Sequence, residues 1–171
     1  KPRSLIDILT GKPKQRVEAV KTASLDIAPG ETVALIGESG SGKSTLARAA
    51  FRLVPSEKGE IYFDGTDLLS ITNADMRPFR NEMSLMMQDP IGSLNPRIPV
   101  GTSVIEPLIV SEKASGLNLR DEAIHLLELV GLSADFVDRY PHEMSGGQAR
   151  RVGVARALAL RPKMIIADEP T

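Results

Sequence analysis

Residues 37–45 read GESGSGKST, and their spacing matches G-x-x-x-x-G-K-S/T. That pattern suits a polyphosphate. Gly37, Gly40 and Gly42 let the backbone curl so that N–H groups point inward at phosphate oxygens. Lys43 supplies a point charge for the β- and γ-phosphates, and Ser44 offers a hydroxyl to Mg²⁺. A second cluster closes the chain. In MIIADE, residues 164–169, an apolar run ends in two carboxylates. Asp168 is placed to hold Mg²⁺, directly or through water, and Glu169 to orient or deprotonate an attacking water. A bound cation would offset the repulsion between the two. Gln88 follows the apolar run MSLMM, and its amide oxygen could reach the cation or the attacking water. Together these groups describe phosphoryl transfer from a nucleoside triphosphate to water.

Such groups need strand ends and helix starts to hold them. TVALIG, 32–37, is a short apolar run of the kind buried on both faces of a parallel sheet, and a helix, STLARAAFRL, follows the glycine loop. Val17–Ile27 alternates loosely and ends at the turn APGE. GEIYFDG, 59–65, reads as a strand between glycines, NADMRPFR as a short helix capped by Asn73, and MSLMMQ, 83–88, as a buried strand. From Asp89 to Glu143 the texture changes. Pro90, Pro96, Pro99 and Pro107 break up the first part, and EAIHLLELV, 122–130, is an amphipathic helix with Ala123, Leu126, Leu127 and Val130 on one face. Residues 89–143 therefore read as a helical insert in a strand–helix domain. GGQARRVGVARALAL returns to helix, and KMIIADEPT ends on a strand that brings Asp168 to its carboxyl end, where ligands of parallel α/β sheets sit.

Bulk composition narrows the function. The 171 residues are 42% apolar and 25% charged, enough for one domain with a core. A formal net charge of −1 argues against a broad grip on nucleic acid or on an anionic membrane. Without Cys there is no disulfide, thiolate metal site or cysteine nucleophile. No apolar run approaches the ~18–20 residues of a membrane span, so any membrane link runs through a partner.

One stretch has no role in this scheme. MSGGQ, 144–148, is a second glycine-rich turn opening a helix. Ser145 is a good cap, and Gly146 and Gly147 leave backbone N–H groups unobstructed, so it reads either as an ordinary capped helix start or as a phosphate contact. The order of phosphate loop, glutamine after a strand, helical insert, SGGQ and apolar strand ending in Asp-Glu resembles the ABC-type ATPases along essentially the whole chain. MSGGQ is similar to that family's signature LSGGQ, with Met144 in the Leu place. The resemblance implies an α/β fold of the P-loop NTPase type with an ABC-type nucleotide-binding core, N-terminal antiparallel β strands and the helical insert. It implies ATP and Mg²⁺ as cofactors. Gly37, Glu38, Ser39, Gly40, Ser41, Gly42, Lys43, Ser44 and Thr45 would bind ATP, with Ser44, Gln88 and Asp168 around the metal and Glu169, Gln88 and Lys43 catalytic. In that family two nucleotide domains pack head to tail, so Ser145, Gly146, Gly147 and Gln148 would contact the γ-phosphate of ATP held by a second ABC ATPase subunit, alike or paralogous.

QDPIGSLNPRIPVGTSVIEPL, 88–108, and RYPHEMSGGQARRVGVARAL look like the ATPase subunits of peptide-type importers, the dipeptide, oligopeptide and nickel group. This implies integral membrane permease subunits as partners, contacted near Asp89–Arg97 and by the insert helices. It also implies an indirect link to a solute-binding protein, and a peripheral place at the cytoplasmic face of the inner membrane. Three departures stand against the pattern. The chain stops at Thr171, before the family's dimer-contact loop and switch histidine; no aromatic residue lies between Lys1 and Thr45 to stack on adenine; and the first residue is not Met. The chain therefore reads as a fragment whose sheet has uncovered apolar edges and whose stability is marginal. Adenine would pack on Val17 or on the aliphatic stem of a nearby Lys or Arg. Two other readings remain: a non-transport ABC ATPase, against which stand the short interval without Cys or heptads and the presence of at most one nucleotide domain, and a nucleotide-binding module without turnover.

Overall fold

The computed structural model describes residues 19–86, 92 and 94–168. Helix α1 (Lys43–Ala50) leaves the glycine loop and ends at the buried Phe51. Strands β1 (Tyr62–Phe63) and β2 (Thr66–Asp67) form an antiparallel hairpin, pairing Tyr62 with Asp67 and Phe63 with Thr66. Its turn is Asp64-Gly65, with φ of 49° and 77°, the left-handed pair that a two-residue hairpin loop requires. Helix α2 (Met76–Glu82) runs directly into β3 (Met83–Met86). Then come α3 (Val100–Val110), α4 (Leu119–Leu129), 3-10 turns at Ala134–Asp138 and Pro141–Glu143, helix α5 (Gly146–Leu158) and β4 (Met164–Ala167). β3 and β4 pair in parallel, Met83 opposite Met164 and Met86 opposite Ala167. A parallel pair needs a long crossover, and here the whole helical segment provides it.

Two apolar cores result. Leu68, Met76, Met83 and Phe51 form the α/β core, with Phe63, Phe79, Met164 and Ile166 packed against it. Val100, Val104 and Leu108 of α3 meet Leu126 and Leu127 of α4, Phe136 and Val137 of the first 3-10 turn, and Val152 and Ala155 of α5 in the helical core. Thus α5, which begins after the 89–143 segment, shares that segment's core, and it also packs against β3. Glycine is required at Gly101: a Cβ there would sit 2.4 Å from Val137 Cγ2 and 2.8 Å from the Val137 carbonyl.

Several local expectations change. Thr32–Gly37, expected as a buried strand, has no assigned ladder, and Leu35 and Ile36 are 46% and 95% exposed. An apolar run marks a segment fit for burial, but a strand also needs a hydrogen-bonded neighbour, and among the described residues this one has none. The described part of Val17–Ile27, residues 19–27, likewise carries no strand, so the antiparallel pairing observed is that of β1 with β2. Asn73 does not cap α2. The N-cap is Asp75, whose N–H bonds the Thr72 hydroxyl at 3.2 Å, while the Asn73 side chain accepts from Arg52. Helix α3 forms despite Pro99 and Pro107. Pro99 is its N-cap, where no N–H is needed, and Pro107 falls in its C-terminal half.

Candidate nucleotide site and family

Gly42 caps α1 at φ 98°, a conformation that side chains oppose, and a Cβ there would come within 2.5 Å of the Ala19 carbonyl. The loop is therefore threaded tightly beneath residues 19–20, with Val20 Cγ2 also 3.0 Å from that position. Gly40 has φ 81°, and the Ser41 N–H closes on the Glu38 carbonyl at 3.2 Å. No side chain caps the amides at the start of α1. The cradle so formed fits an anion, because helix-start amides and the helix dipole act together. Lys43 Nζ donates to the Gly37 and Glu38 carbonyls at 2.7 and 2.9 Å, so the ammonium lies across the loop rather than out in solvent. A phosphate, being charged, competes well for those donors.

β4 is fixed against β3 through its last residue and beyond, since the Asp168 N–H donates to the Met86 carbonyl at 3.0 Å. This holds the Asp168 side chain at the carboxyl end of the sheet. There Ser44 Oγ donates to Asp168 Oδ1 at 2.9 Å, in a part-buried contact across 124 residues of chain. A serine that gives its proton to a carboxylate still has lone pairs to offer a cation. Two hard oxygens beside a phosphate cradle fit Mg²⁺, which is held by one or two protein groups plus substrate phosphates. Among the described residues there is no group of three or more His, Cys, Asp or Glu side chains that could hold a metal ion.

Ser145 caps α5 in a reciprocal box. Its Oγ accepts from the Gln148 N–H at 3.3 Å, and Gln148 Oε1 accepts from the Ser145 N–H at 2.9 Å. Gly146 and Gly147 face open space, for a Cβ at either position would meet nothing within 4 Å. Neither glycine has a positive φ. Among the described residues neither close contact nor backbone conformation requires glycine at these two places. Of the expected site residues, the structure joins Lys43 to the loop and Ser44 to Asp168. Gln88 and Glu169, with Asp89 and Val17, lie outside the described residues. One feature escaped sequence reasoning: Tyr140 stacks on His142, with ring centroids 5.8 Å apart and planes at 24°. Its signal was the placing of two flat rings just ahead of MSGGQ in a chain with few aromatics.

Comparison with known proteins agrees with this geometry. Residues 20–171 match the family described as ABC transporter. The chain is 47% identical over 161 residues to the glutathione import ATP-binding protein GsiA of Pectobacterium atrosepticum, covering 94% of this chain and 26% of that protein. GsiA of Salmonella paratyphi A is 49% identical over 155 residues, which is 91% of this chain and 25% of that protein. The chain thus spans about a quarter of the length of these curated relatives. Among solved structures, the dimeric ATP-binding cassette MJ0796 in a post-hydrolysis state with ADP and Pi superposes with a TM-score of 0.79 at 34% identity, covering 90% of this chain and 66% of that one. With cradle, lysine, serine–aspartate contact and capped second glycine turn all in place, the chain belongs to the ABC transporter family and has its ATP-binding cassette fold.

Proposed function

We propose that this chain is the ATP-binding and ATP-hydrolysing part of an importer for peptides or a related small solute. The observation that carries the reading is the 2.9 Å bond from Ser44 to Asp168, which brings the loop's hydroxyl and the strand-end carboxylate to one point beside the cradle. When bound there, Mg²⁺ would neutralise charge on the transferring phosphoryl group. Lys43 leaves its two carbonyl partners for the β- and γ-phosphates. Glu169 orients or deprotonates the attacking water, and Gln88 assists it or the cation. Phosphoryl transfer asks mainly for positioning and charge, which these groups supply.

The second glycine turn serves another subunit. Ser145, Gly146, Gly147 and Gln148 present a capped helix start with a clear approach, and in a head-to-tail pair each would meet the γ-phosphate held by the partner's loop. A two-fold pair then makes two composite sites, and loss of the γ-phosphate releases the grip. The proteins named above as similar support this: one is solved as a dimer, the others are import ATP-binding proteins. No described helix is long and apolar enough to cross a membrane. A permease at the cytoplasmic face of the inner membrane, docked near Asp89–Arg97 and the insert helices, would supply the membrane path, with a solute-binding protein acting through it. The test is turnover and ATP-driven association of the full polypeptide. Glu169→Gln should bind ATP and fail to hydrolyse it, and Ser145→Arg should bind a first nucleotide yet not associate. Turnover at the parent rate in Glu169→Gln, or normal association in Ser145→Arg, refutes the assignment.

A further inference from the structure

A nucleotide's base is flat and apolar on both faces and is held best against a flat side chain. The chain has four Phe and two Tyr, and the structure shows what each is doing. Phe51 and Phe136 are buried. Phe63 and Phe79 meet edge to face, 6.3 Å apart, beside the α/β core. Tyr62 is exposed on the hairpin, but Glu60 and Asp67 flank it with negative charge, a poor setting for a polyphosphate. That leaves Tyr140, exposed and stacked on the exposed His142.

This pair is held stiffly and in a telling place. Tyr140 caps the 3-10 turn Pro141–Glu143 and His142 lies within it, on either side of the buried Pro141. The Glu143 carboxylate accepts from the Tyr140 N–H at 2.7 Å, and the Glu143 N–H donates to the Tyr140 carbonyl at 3.0 Å. The next residues are Met144 and the capping Ser145. The rings lie four to seven residues ahead of Gly146 and Gly147, a stretch that spans at most about 14–25 Å, so they stand on the same loop as those open amides.

We infer that Tyr140 and His142 form the stacking surface for the base of the nucleotide seated in the partner's phosphate loop. The inference rests on the head-to-tail reading above and adds base recognition to it. The same short loop then meets both ends of one nucleotide, its γ-phosphate through residues 145–148 and its adenine through the two rings. Stacking tolerates any base but needs one, so the surface selects nucleotides over bare phosphates.

The experiment uses the full polypeptide in a Glu169→Gln background, so that ATP is not consumed, and follows association by sedimentation. Tyr140→Ala with His142→Ala should raise the ATP concentration for half-maximal association about tenfold. Nucleotide binding by the isolated subunit should be unchanged, and Tyr140→Phe should behave as the parent. With ribose triphosphate, which has no base, parent and double variant should associate alike. Unchanged association with ATP, an equal loss with ribose triphosphate, or weakened binding to the isolated subunit overturns the inference while Ser145→Arg still blocks association. Normal association of Ser145→Arg would overturn the head-to-tail reading, and this inference with it.

Discussion

If Ser44 and Asp168 serve one cation, their removal must not be additive. The two are in contact at 2.9 Å, and both are partly buried. Asp168→Asn keeps the shape of the side chain and leaves the backbone bond to Met86 intact, so it removes charge with little movement. Ser44→Ala removes the hydroxyl alone. Hydrogen bonds to charged groups contribute about 1.5–3 kcal/mol, and partial exposure puts this one at the lower end. Each single variant should therefore weaken Mg-ATP binding about tenfold, or ~1.4 kcal/mol. Independent action would give about a hundredfold loss in the double variant. Shared action on one ion should give about ten- to thirtyfold, a coupling of ~0.7–1.4 kcal/mol, inside the range for residues in contact. Calorimetric titration with ATP, in Mg²⁺ and again in EDTA, measures all four corners of the cycle. The coupling should vanish in EDTA. Additive losses in Mg²⁺, or the same coupling without it, would show that the contact is merely structural.

Two further outcomes follow from the helical core. Gly101→Ala would drive a methyl against Val137 Cγ2 and against its carbonyl, which cannot rotate away. Overpacking of this kind costs about 1–3 kcal/mol; thermal unfolding should show it, Val137→Ala should relieve only the side-chain part, and an unchanged midpoint would refute the close approach. Arg120 grips Asp138 with two bonds of 2.7 Å, and the hydrogen bond first, the charge second, hold that exposed carboxyl below its usual range. A lowered folded value means a stabilising contribution that is present above about pH 4 and lost as pH falls through the folded value. Asp138→Asn should thus flatten the decline of the urea midpoint below about pH 4, and an identical decline in parent and variant would count against the pair.

What the sequence disclosed depends on how far each feature reaches along the chain. The phosphate loop is local: its glycines, lysine and helix start lie within nine residues, and types and spacing specify it. The stripe of α4 was nearly as plain: of Ala123, Leu126, Leu127 and Val130, which repeat at helical intervals, the first three are buried, while Val130 is the half-buried C-cap just past the helix. The Ser44–Asp168 contact spans the chain, yet both partners could be singled out because each is fixed by its own motif, Ser44 in the first turn of the helix after the glycine loop and Asp168 at the carboxyl end of β4. Context-dependent features were harder. Prolines at 96, 99 and 107 read as breakers, but α3 places one at its cap and absorbs another, with Val100, Val104, Ile105 and Leu108 buried to offset the missing bond. TVALIG shows the reverse. Its composition is that of an inner strand, and only a neighbour's backbone could have made it one.

The placement of α5 explains why two glycine turns belong in one small fold. Its first turn is the exposed cap at Ser145, and its middle is locked into the helical core through Val152 and Ala155. Small side chains allow close packing there. Charged groups tie it further, Arg156 to Glu106 of α3 at 2.6 Å and Arg151 to the Gly131 carbonyl at 2.8 Å. The same helix packs on β3, whose parallel partner carries Asp168 at its end. On the proposed reading, a pull on Ser145 by a partner's γ-phosphate cannot be absorbed by the capped turn, since both its cap bonds are already made. The displacement has to pass into α5 and the helices packed on it. A packed core shifts as a body rather than deforming, so a sub-ångström event at a phosphate can emerge as a movement of the whole helical segment.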